Sequence, residues 1–244
     1  TWTAEDAWNL ILISGVDVII ADGNIPNTEV VEKARQKGMK IILVDSDPGQ
    51  ELRDIYVGTD NKQAGCLAVQ TLDKLYGIDR GAIVVQDNEN VAAVSERFNG
   101  IREALNQKWP EVEIKFSEMP WYSERMSNSS IEKLLLENSD IQAIFGLMES
   151  ETTLYAQILK QMHLEQKVHL ITFDRSEKML ELLREGVVDA IIVQQSYEIG
   201  YESAEIAAHL AKGEVLEKDT VYIDCSVISQ KDLPFSEREK NADE

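Results

Sequence analysis

The sequence has 244 residues, 43% hydrophobic and 28% charged, which is enough for one large α/β domain or for two smaller lobes, each with its own core. Acidic residues number 44 and basic residues 24, giving a formal net charge of −20 at pH 7. A surface this acidic repels phosphate backbones and anionic lipid headgroups, so we expect this chain to bind no nucleic acid directly, and membrane surfaces are disfavoured as partners. No apolar run approaches the roughly 20 residues of a membrane-spanning helix, so we expect no membrane insertion by this chain.

Short β-branched runs alternate with longer amphipathic stretches along the whole chain. The runs predict strands at Asp17–Ala21, Lys40–Val44, Asp54–Val57, Gly81–Val85, Glu113–Ser117, Ile141–Leu147, Val168–Phe173, Ala190–Gln194 and Thr220–Ile228. The amphipathic stretches predict helices at Trp2–Ser14, Asn27–Lys37, Asn61–Tyr76, Val91–Lys108, about Ser123–Glu137, Ser150–Met162, Glu177–Arg184 and Ile199–Ala211. Strands that are apolar nearly throughout indicate an α/β fold with parallel sheets covered by helices on both faces.

Polar residues repeatedly follow the predicted strands. Such positions are occupied by Asp22, Asp45, Thr59, Glu149, Asp174 and Gln194. A single residue of this kind commonly caps the next helix. Because parallel sheets bind ligands at the carboxyl ends of their strands, the whole series favours a polar ligand-binding cleft.

The sequence lacks the motifs that enzymes of this fold class use to hold phosphates or activate a nucleophile. It contains no GxGxxG, no GxxxxGK[ST] and no GxSxG pattern. His163, His169 and His209 have no metal-ligand spacing. We therefore expect a protein that is not an enzyme, with no catalytic residues, no cofactor and no metal.

Seven blocks of the sequence together resemble a known family. They are SGVDVIIADG (14–23), GMKIILVDSD (38–47), VGTDNKQAG (57–65), SERFNGIREAL (95–105), QAIFGLMES (142–150), HLITFDRSE (169–177) and DAIIVQQSYEIGYESA (189–204). In this order and spacing they are similar to the type I periplasmic-binding-protein superfamily. That superfamily includes sugar-binding proteins of ABC transport and the effector domains of lactose-repressor-like regulators.

The resemblance implies two Rossmann-like lobes with parallel sheets, joined by three crossovers, which close on a ligand by hinge motion. Lobe 1 would comprise residues 1–59 and 195–222, lobe 2 residues 60–194 and 223–235, and residues 236–244 would form a polar tail. The crossovers would fall near Val57–Asp60, Gln194–Ser196 and Thr220–Ile223. The family's first strand, helix and strand have no counterpart here, so the strand at Asp17–Ala21 is expected to be an unpaired edge.

The resemblance also implies which residues surround the ligand. The family pattern places Asp45, Arg97, Asp174 and Gln194 there, and Trp121 or Tyr122 would stack on the ligand. The predicted contact set is completed by Asp22, Thr59, Met148, Glu149 and Phe173. Arg97 lies in the family's Arg-x-x-Gly helix, where its guanidinium can donate to two oxygen atoms at once.

Met148 and Glu149 depart from the family, because many sugar binders have Asn–Asp at these positions. Methionine cannot make the paired hydrogen bonds of asparagine, which favours a ligand with a deoxy or apolar edge, or a site that has lost its ligand. Asp22, Asp45, Glu149 and Asp174 make the predicted cleft acidic, so a neutral sugar or polyol is expected rather than an anion.

Three functions are consistent with these features. The first is an extracytoplasmic solute-binding protein that presents a sugar-like ligand to a membrane permease or a sensor protein; the signal region is absent from this chain. The second is the cytoplasmic effector domain of a lactose-repressor-type regulator. The third is an interaction protein whose cleft no longer binds a small ligand.

Overall fold

The computed structural model describes residues 3–23, 25–77, 81–86, 91–116 and 124–233. The chain divides into two compact units. Unit 1 comprises Thr1–Asp60, Asn90–Ala93 and Gln195–Asp224, and unit 2 comprises Asn61–Glu89, Val94–Gln194 and Cys225–Glu244. The predicted polar tail lies outside the described residues.

The described residues form ten strands and eight α-helices. The strands are β1 (Val18–Asp22), β2 (Lys40–Val44), β3 (Ile55–Gly58), β4 (Ala82–Val85), β5 (Glu113–Phe116), β6 (Ile141–Gly146), β7 (His169–Phe173), β8 (Ala190–Val193), β9 (Thr220–Tyr222) and β10 (Ser226–Ser229). The helices are α1 (Ala4–Ser14), α2 (Thr28–Gln36), α3 (Asn61–Tyr76), α4 (Ala92–Lys108), α5 (Glu124–Glu137), α6 (Glu149–Met162), α7 (Glu177–Arg184) and α8 (Ser196–Ala211). The predicted order of strands and helices is therefore confirmed up to β8 and α8.

Side chains at the helix ends explain where several helices begin. Thr3 and Asp6 form a capping box at the start of α1. The side chain of Asn27 accepts a hydrogen bond from the N–H of Val30 and so caps α2. Ser176 does the same for Met179 at the start of α7.

Unit 1 is built on a four-stranded parallel sheet with the order β1-β2-β3-β9. Helices α1 and α2 cover one face, where Trp8 and Val31 are buried, and α8 covers the other through Ile199 and Ile206. Strand β1 has no outer neighbour among the described residues, and its Ile20 is 46% exposed. This agrees with the expected unpaired edge.

Unit 2 is built on a six-stranded sheet with the order β10-β8-β7-β6-β4-β5. Five strands are parallel, and β10 pairs antiparallel with β8 at the edge. The prediction of one final strand at Thr220–Ile228 is wrong, since this segment forms β9 in the first sheet and β10 in the second. Residues 223–225 separate them, and each half pairs with a different sheet. The β-branched residues on both sides of Asp224 hide this break in the sequence.

Candidate functional site

In unit 1, three of the predicted site residues lie at the carboxyl ends of neighbouring parallel strands. Asp22 ends β1, Asp45 follows β2 and Thr59 follows β3. The Tyr56 hydroxyl donates to the main-chain oxygen of Thr59 at 2.9 Å and also lies 3.1 Å from that of Asp45. Tyr56, which sequence analysis did not single out, thus fixes the two strand ends relative to each other.

The loop after β2 is held by a buried arginine. Arg53 is 6% exposed, and its Nε and Nη2 donate to the two carboxylate oxygens of Asp47 at 2.8 and 2.7 Å. Its Nη1 donates to the main-chain oxygen of Asp219, next to β9, at 2.5 Å. Such a forked pair fixes both distance and orientation, so the segment that carries Asp45 has a defined position.

In unit 2, Arg97 is the centre of a buried polar cluster. It is 3% exposed, its Nε donates to Oδ1 of Asn61 at 2.9 Å, and its Nη1 donates to the main-chain oxygen of Leu147 at 2.7 Å. The guanidinium lies 4.5 Å from the ring centroid of Phe173 and 3.9 Å from Oδ2 of Asp174. Groups from α3, from the segment between β6 and α6, and from the end of β7 therefore orient this one charged group.

Asp174 connects Arg97 to the end of β8. Its Oδ1 accepts a hydrogen bond from Nε2 of Gln194 at 2.7 Å, whereas Oε1 of Gln194 is buried and has no hydrogen-bond partner within the part of the chain that the structure describes. Asp174 has φ +68° and Asp45 has φ +63°, so both aspartates take the left-handed conformation directly after a strand. This backbone is uncommon for residues other than glycine and is often found at functional sites.

Met148 and Glu149 lie at the start of α6, next to Leu147. Met148 is the N-cap residue and makes no side-chain capping bond. Instead Glu151, one turn into the helix, reaches back, and its Oε2 accepts a hydrogen bond from the N–H of Leu147 at 3.1 Å. Burial raises the pKa of Glu151 to about 7, although hydrogen bonds from Leu147 and Met148 and the charge of Arg97 act in the opposite direction.

The structure therefore brings the predicted residues together within each unit, as one group in unit 1 and one in unit 2. The first contains Asp22, Asp45 and Thr59, and the second contains Arg97, Met148, Glu149, Phe173, Asp174 and Gln194. Phe173 is fully buried beneath Arg97. The predicted stacking residues, Trp121 or Tyr122, lie outside the described residues.

Sequence reasoning missed the residues that support these groups. Asn61 and Glu151 contact Arg97 or its hydrogen-bond partner, and Tyr56 supports unit 1. A glutamate three residues after the N-cap residue is one half of a capping box, but Met148 stands where the other half requires Ser or Thr, and this obscures the pattern.

The chemistry of these groups is that of hydrogen-bonding recognition. Arg97 donates, Asp45 and Asp174 accept, and Gln194 can do both. Within the described ranges, no group of three or more His, Cys, Asp or Glu side chains has a geometry that could bind a metal ion. None of the described helices has the length and hydrophobicity that crossing a membrane requires.

Comparison with known proteins gives a consistent result. Residues 6–215 match the family model of the periplasmic binding protein domain. The ribose import binding protein RbsB of Haemophilus influenzae is 23% identical over 197 residues, which cover 81% of this chain and 66% of that protein. The Escherichia coli RbsB is 24% identical, with 77% of this chain and 62% of that protein covered. The chain thus spans less than two thirds of the length of these relatives.

Solved structures resemble the fold closely. The glucose-galactose binding protein GanP of Geobacillus stearothermophilus superposes with a TM-score of 0.83 at 25% identity, covering 94% of this chain and 82% of that one. A chain of the XylFII–LytSN complex gives 0.77 at 26% identity, with 96% and 85% covered. A solute-binding protein of Agrobacterium vitis with bound D-fucose gives 0.80 at 23% identity, with 98% and 84% covered. The expected α/β fold with parallel sheets is confirmed.

Proposed function

Since this chain belongs to the periplasmic binding protein domain family, we propose that it is an extracytoplasmic solute-binding protein for a small neutral sugar or polyol. The observation that supports this most directly is the cluster around Arg97, a buried guanidinium held by Asn61 and Leu147 beside Asp174. We propose that the ligand is captured by hinge closure of the two units and is then presented to a membrane permease or a sensor protein.

In this proposal each group of site residues has a defined task. Arg97 donates to ligand oxygens, and Asp174 accepts from hydroxyl groups while Gln194 holds it in position. Asp22, Asp45 and Thr59 bind the ligand from the carboxyl ends of β1, β2 and β3. Phe173 supports Arg97 from below, and Trp121 or Tyr122 stacks on the ring of the sugar.

The residues also favour one class of sugar. Asp22, Asp45, Glu149 and Asp174 are four carboxylates, which disfavour an anionic ligand. Met148 contributes no polar side-chain atom at the start of α6, so it fits a deoxy or otherwise apolar edge of the ligand. The Agrobacterium vitis relative with bound D-fucose is a reason to include that sugar among the first candidates.

The proposal is tested by a thermal-shift panel of monosaccharides, deoxy sugars, disaccharides, polyols, nucleosides and amino acids, followed by calorimetric titration of every compound that shifts the melting temperature. A ligand present at 100 times its dissociation constant stabilises the folded state by about 2.7 kcal/mol. We expect one class of sugar or polyol to do so.

Matched variants identify the site. We expect Arg97→Ala and Asp174→Ala to weaken binding of the sugar at least tenfold. Arg184→Ala is the control, because it alters a partly exposed arginine paired with Glu177 in the same unit, and we expect it to leave binding unchanged.

Recovery of the bound sugar in unaltered form is expected of a protein that is not an enzyme. A cooperatively folded chain that binds no member of the panel contradicts the proposal and favours an interaction protein.

A further inference from the structure

A single peptide segment connects Glu151 to Arg97. The N–H of Leu147 donates to Oε2 of Glu151 at 3.1 Å, and the carbonyl oxygen of the same residue accepts from Nη1 of Arg97 at 2.7 Å. Both side chains are buried, with 4% of Glu151 and 3% of Arg97 exposed. A change in the charge of Glu151 therefore affects Arg97 in two ways: directly, by electrostatic interaction, and indirectly, through the main chain of Leu147, to which both side chains are hydrogen-bonded.

Glu151 is incompletely satisfied where it lies. Its second oxygen, Oε1, is buried and has no hydrogen-bond partner among the described residues. A buried carboxylate that lacks partners is costly when ionised, and this explains why burial dominates and raises the pKa of Glu151 to about 7. Glu151 is thus poised to gain or lose a proton near neutral pH, unlike an exposed glutamate.

The charged groups around Glu151 define what its charge acts on. Arg97, on α4, carries a positive charge that lowers the pKa of Glu151. Oδ2 of Asp174, after β7, lies 3.9 Å from Nη1 of Arg97. On α6 itself Glu149 comes two residues earlier, and Lys160 pairs with Glu185 toward the far end of the helix. From α3 the neutral side chain of Asn61 contacts Arg97. Ionised Glu151 therefore adds to the negative charge that already opposes Arg97.

We propose that Glu151 is a positioning residue that couples ligand binding to a proton: the neutral carboxyl leaves the charge of Arg97 available to the ligand, and its ionisation weakens binding. This rests on the function proposed above, because it concerns the same site. Ionised Glu151 draws Arg97 and the Leu147–Met148 segment inward and offsets the guanidinium charge. By linkage, ligand binding must then raise the pKa of Glu151 and take up a proton.

The test is calorimetric titration of the wild-type chain with the sugar identified by the panel, from about pH 5.5 to about pH 8.5. If the ligand raises the pKa of Glu151 by about one unit, affinity falls about tenfold as the pH rises through 7. Titration near pH 7 in two buffers of different ionisation enthalpy is expected to show net proton uptake on binding.

Glu151→Gln is the decisive variant, because glutamine keeps an oxygen for the N–H of Leu147 and cannot ionise. We expect it to bind with nearly the same affinity at every pH, close to that of the wild type at low pH. Glu177→Gln, an exposed control in the same unit, is expected to keep the wild-type slope.

The possible results separate the two proposals. Binding by the wild type that does not change with pH, or a Glu151→Gln variant that retains the full slope, overturns the role of Glu151 alone. Absence of binding at every pH overturns the proposed function together with this one. If Glu151→Gln does not fold by circular dichroism, the proton count of the wild type decides, since no uptake of protons near pH 7 overturns the proposal.

Discussion

Arg53 and Glu151 are both buried charged residues, but the chain satisfies them to different degrees. Both carboxylate oxygens of Asp47 accept from Arg53, and the main chain before β9 provides a further acceptor. Glu151 receives hydrogen bonds on one side only, since its Oε1 has no partner among the described residues. A buried charge that is paired and hydrogen-bonded can remain ionised, whereas an incompletely paired one favours its neutral form.

This difference predicts how Glu151 affects stability. Its pKa rises from the usual 4.5 to about 7 in the folded chain, so the folded state retains a proton that the unfolded state releases. The stabilisation is complete below pH 4.5 and is lost as the pH rises to 7, a change of about 3 kcal/mol. The free energy of unfolding of Glu151→Gln, minus that of the wild type, is expected to increase by this amount between pH 4.5 and pH 8.

Urea denaturation of both proteins at several pH values measures this difference. Because the other acidic groups titrate in both chains, their contribution cancels in the comparison. Parallel stability curves across the whole pH range would show that Glu151 ionises normally in the folded state.

At single residues, the sequence predicts best where a pattern places a polar side chain after an apolar strand. The placement of Asp45 and Asp174 at strand ends could be predicted in this way, because each follows a run of mostly apolar, β-branched residues. The contacts of Asn61 and Glu151 could not be predicted in this way. Asn61 contacts Arg97, which is distant from it in sequence. Glu151 contacts Leu147, but Met148 as the N-cap residue obscures the usual capping pattern.

At the level of helices, α3 and α4 approach each other through two glycines. A Cβ atom at Gly65 would collide with the main-chain oxygen of Arg97, and one at Gly100 would collide with that of Lys62. The reciprocal contact is tight because neither helix presents a side chain there. The position of Arg97 in unit 2 therefore depends on small residues that carry no polar group of their own.

Substitution of these glycines has a clear expected result. Gly65→Ala and Gly100→Ala force the helices apart and are expected to destabilise the chain by about 1–3 kcal/mol, as overpacking does. Gly200→Ala is the matched control, because a Cβ atom there meets nothing within 4 Å in the helix α8.

Alanine is the better helix former, so the control is expected to stabilise by up to about 1 kcal/mol. Chemical denaturation measures all three variants. If Gly65→Ala and Gly100→Ala are as stable as Gly200→Ala, the helices do not depend on this close contact.

The helices and most strands were largely predictable, because the hydrophobic period distinguishes the two and α1, α2 and α7 begin at capping residues. The final strand was not, since an apolar run does not reveal which sheet it will join. Thr220–Tyr222 pairs with β3, and Ser226–Ser229 pairs with β8 in the opposite direction. Only pairing with distant strands distinguishes the two halves.

The whole molecule carries a net charge of −20, which favours solubility and opposes compaction. The expected consequence is stabilisation by salt, since the screening length falls from about 30 Å at 0.01 M to about 3 Å at 1 M. Melting temperatures measured by calorimetry at pH 7.5 are expected to rise by several degrees between low and high sodium chloride.

Choline chloride serves as the control for this measurement, because it screens charge without a small metal cation. An equal rise in both salts indicates general screening of repulsion. A melting temperature that stays constant or falls with salt would mean that the acidic residues are balanced locally by their ion pairs.

The sheet of unit 1 draws on segments that are far apart in the chain, and this sets the order in which it can form. Tyr56 of β3 pairs with Thr220 of β9, so the last strand of the sheet leaves the ribosome long after the first three. The five parallel strands of unit 2 are all synthesised in between. Such a high contact order slows folding, and the exposed edge of β3 is open to mispairing during translation until its distant partner emerges.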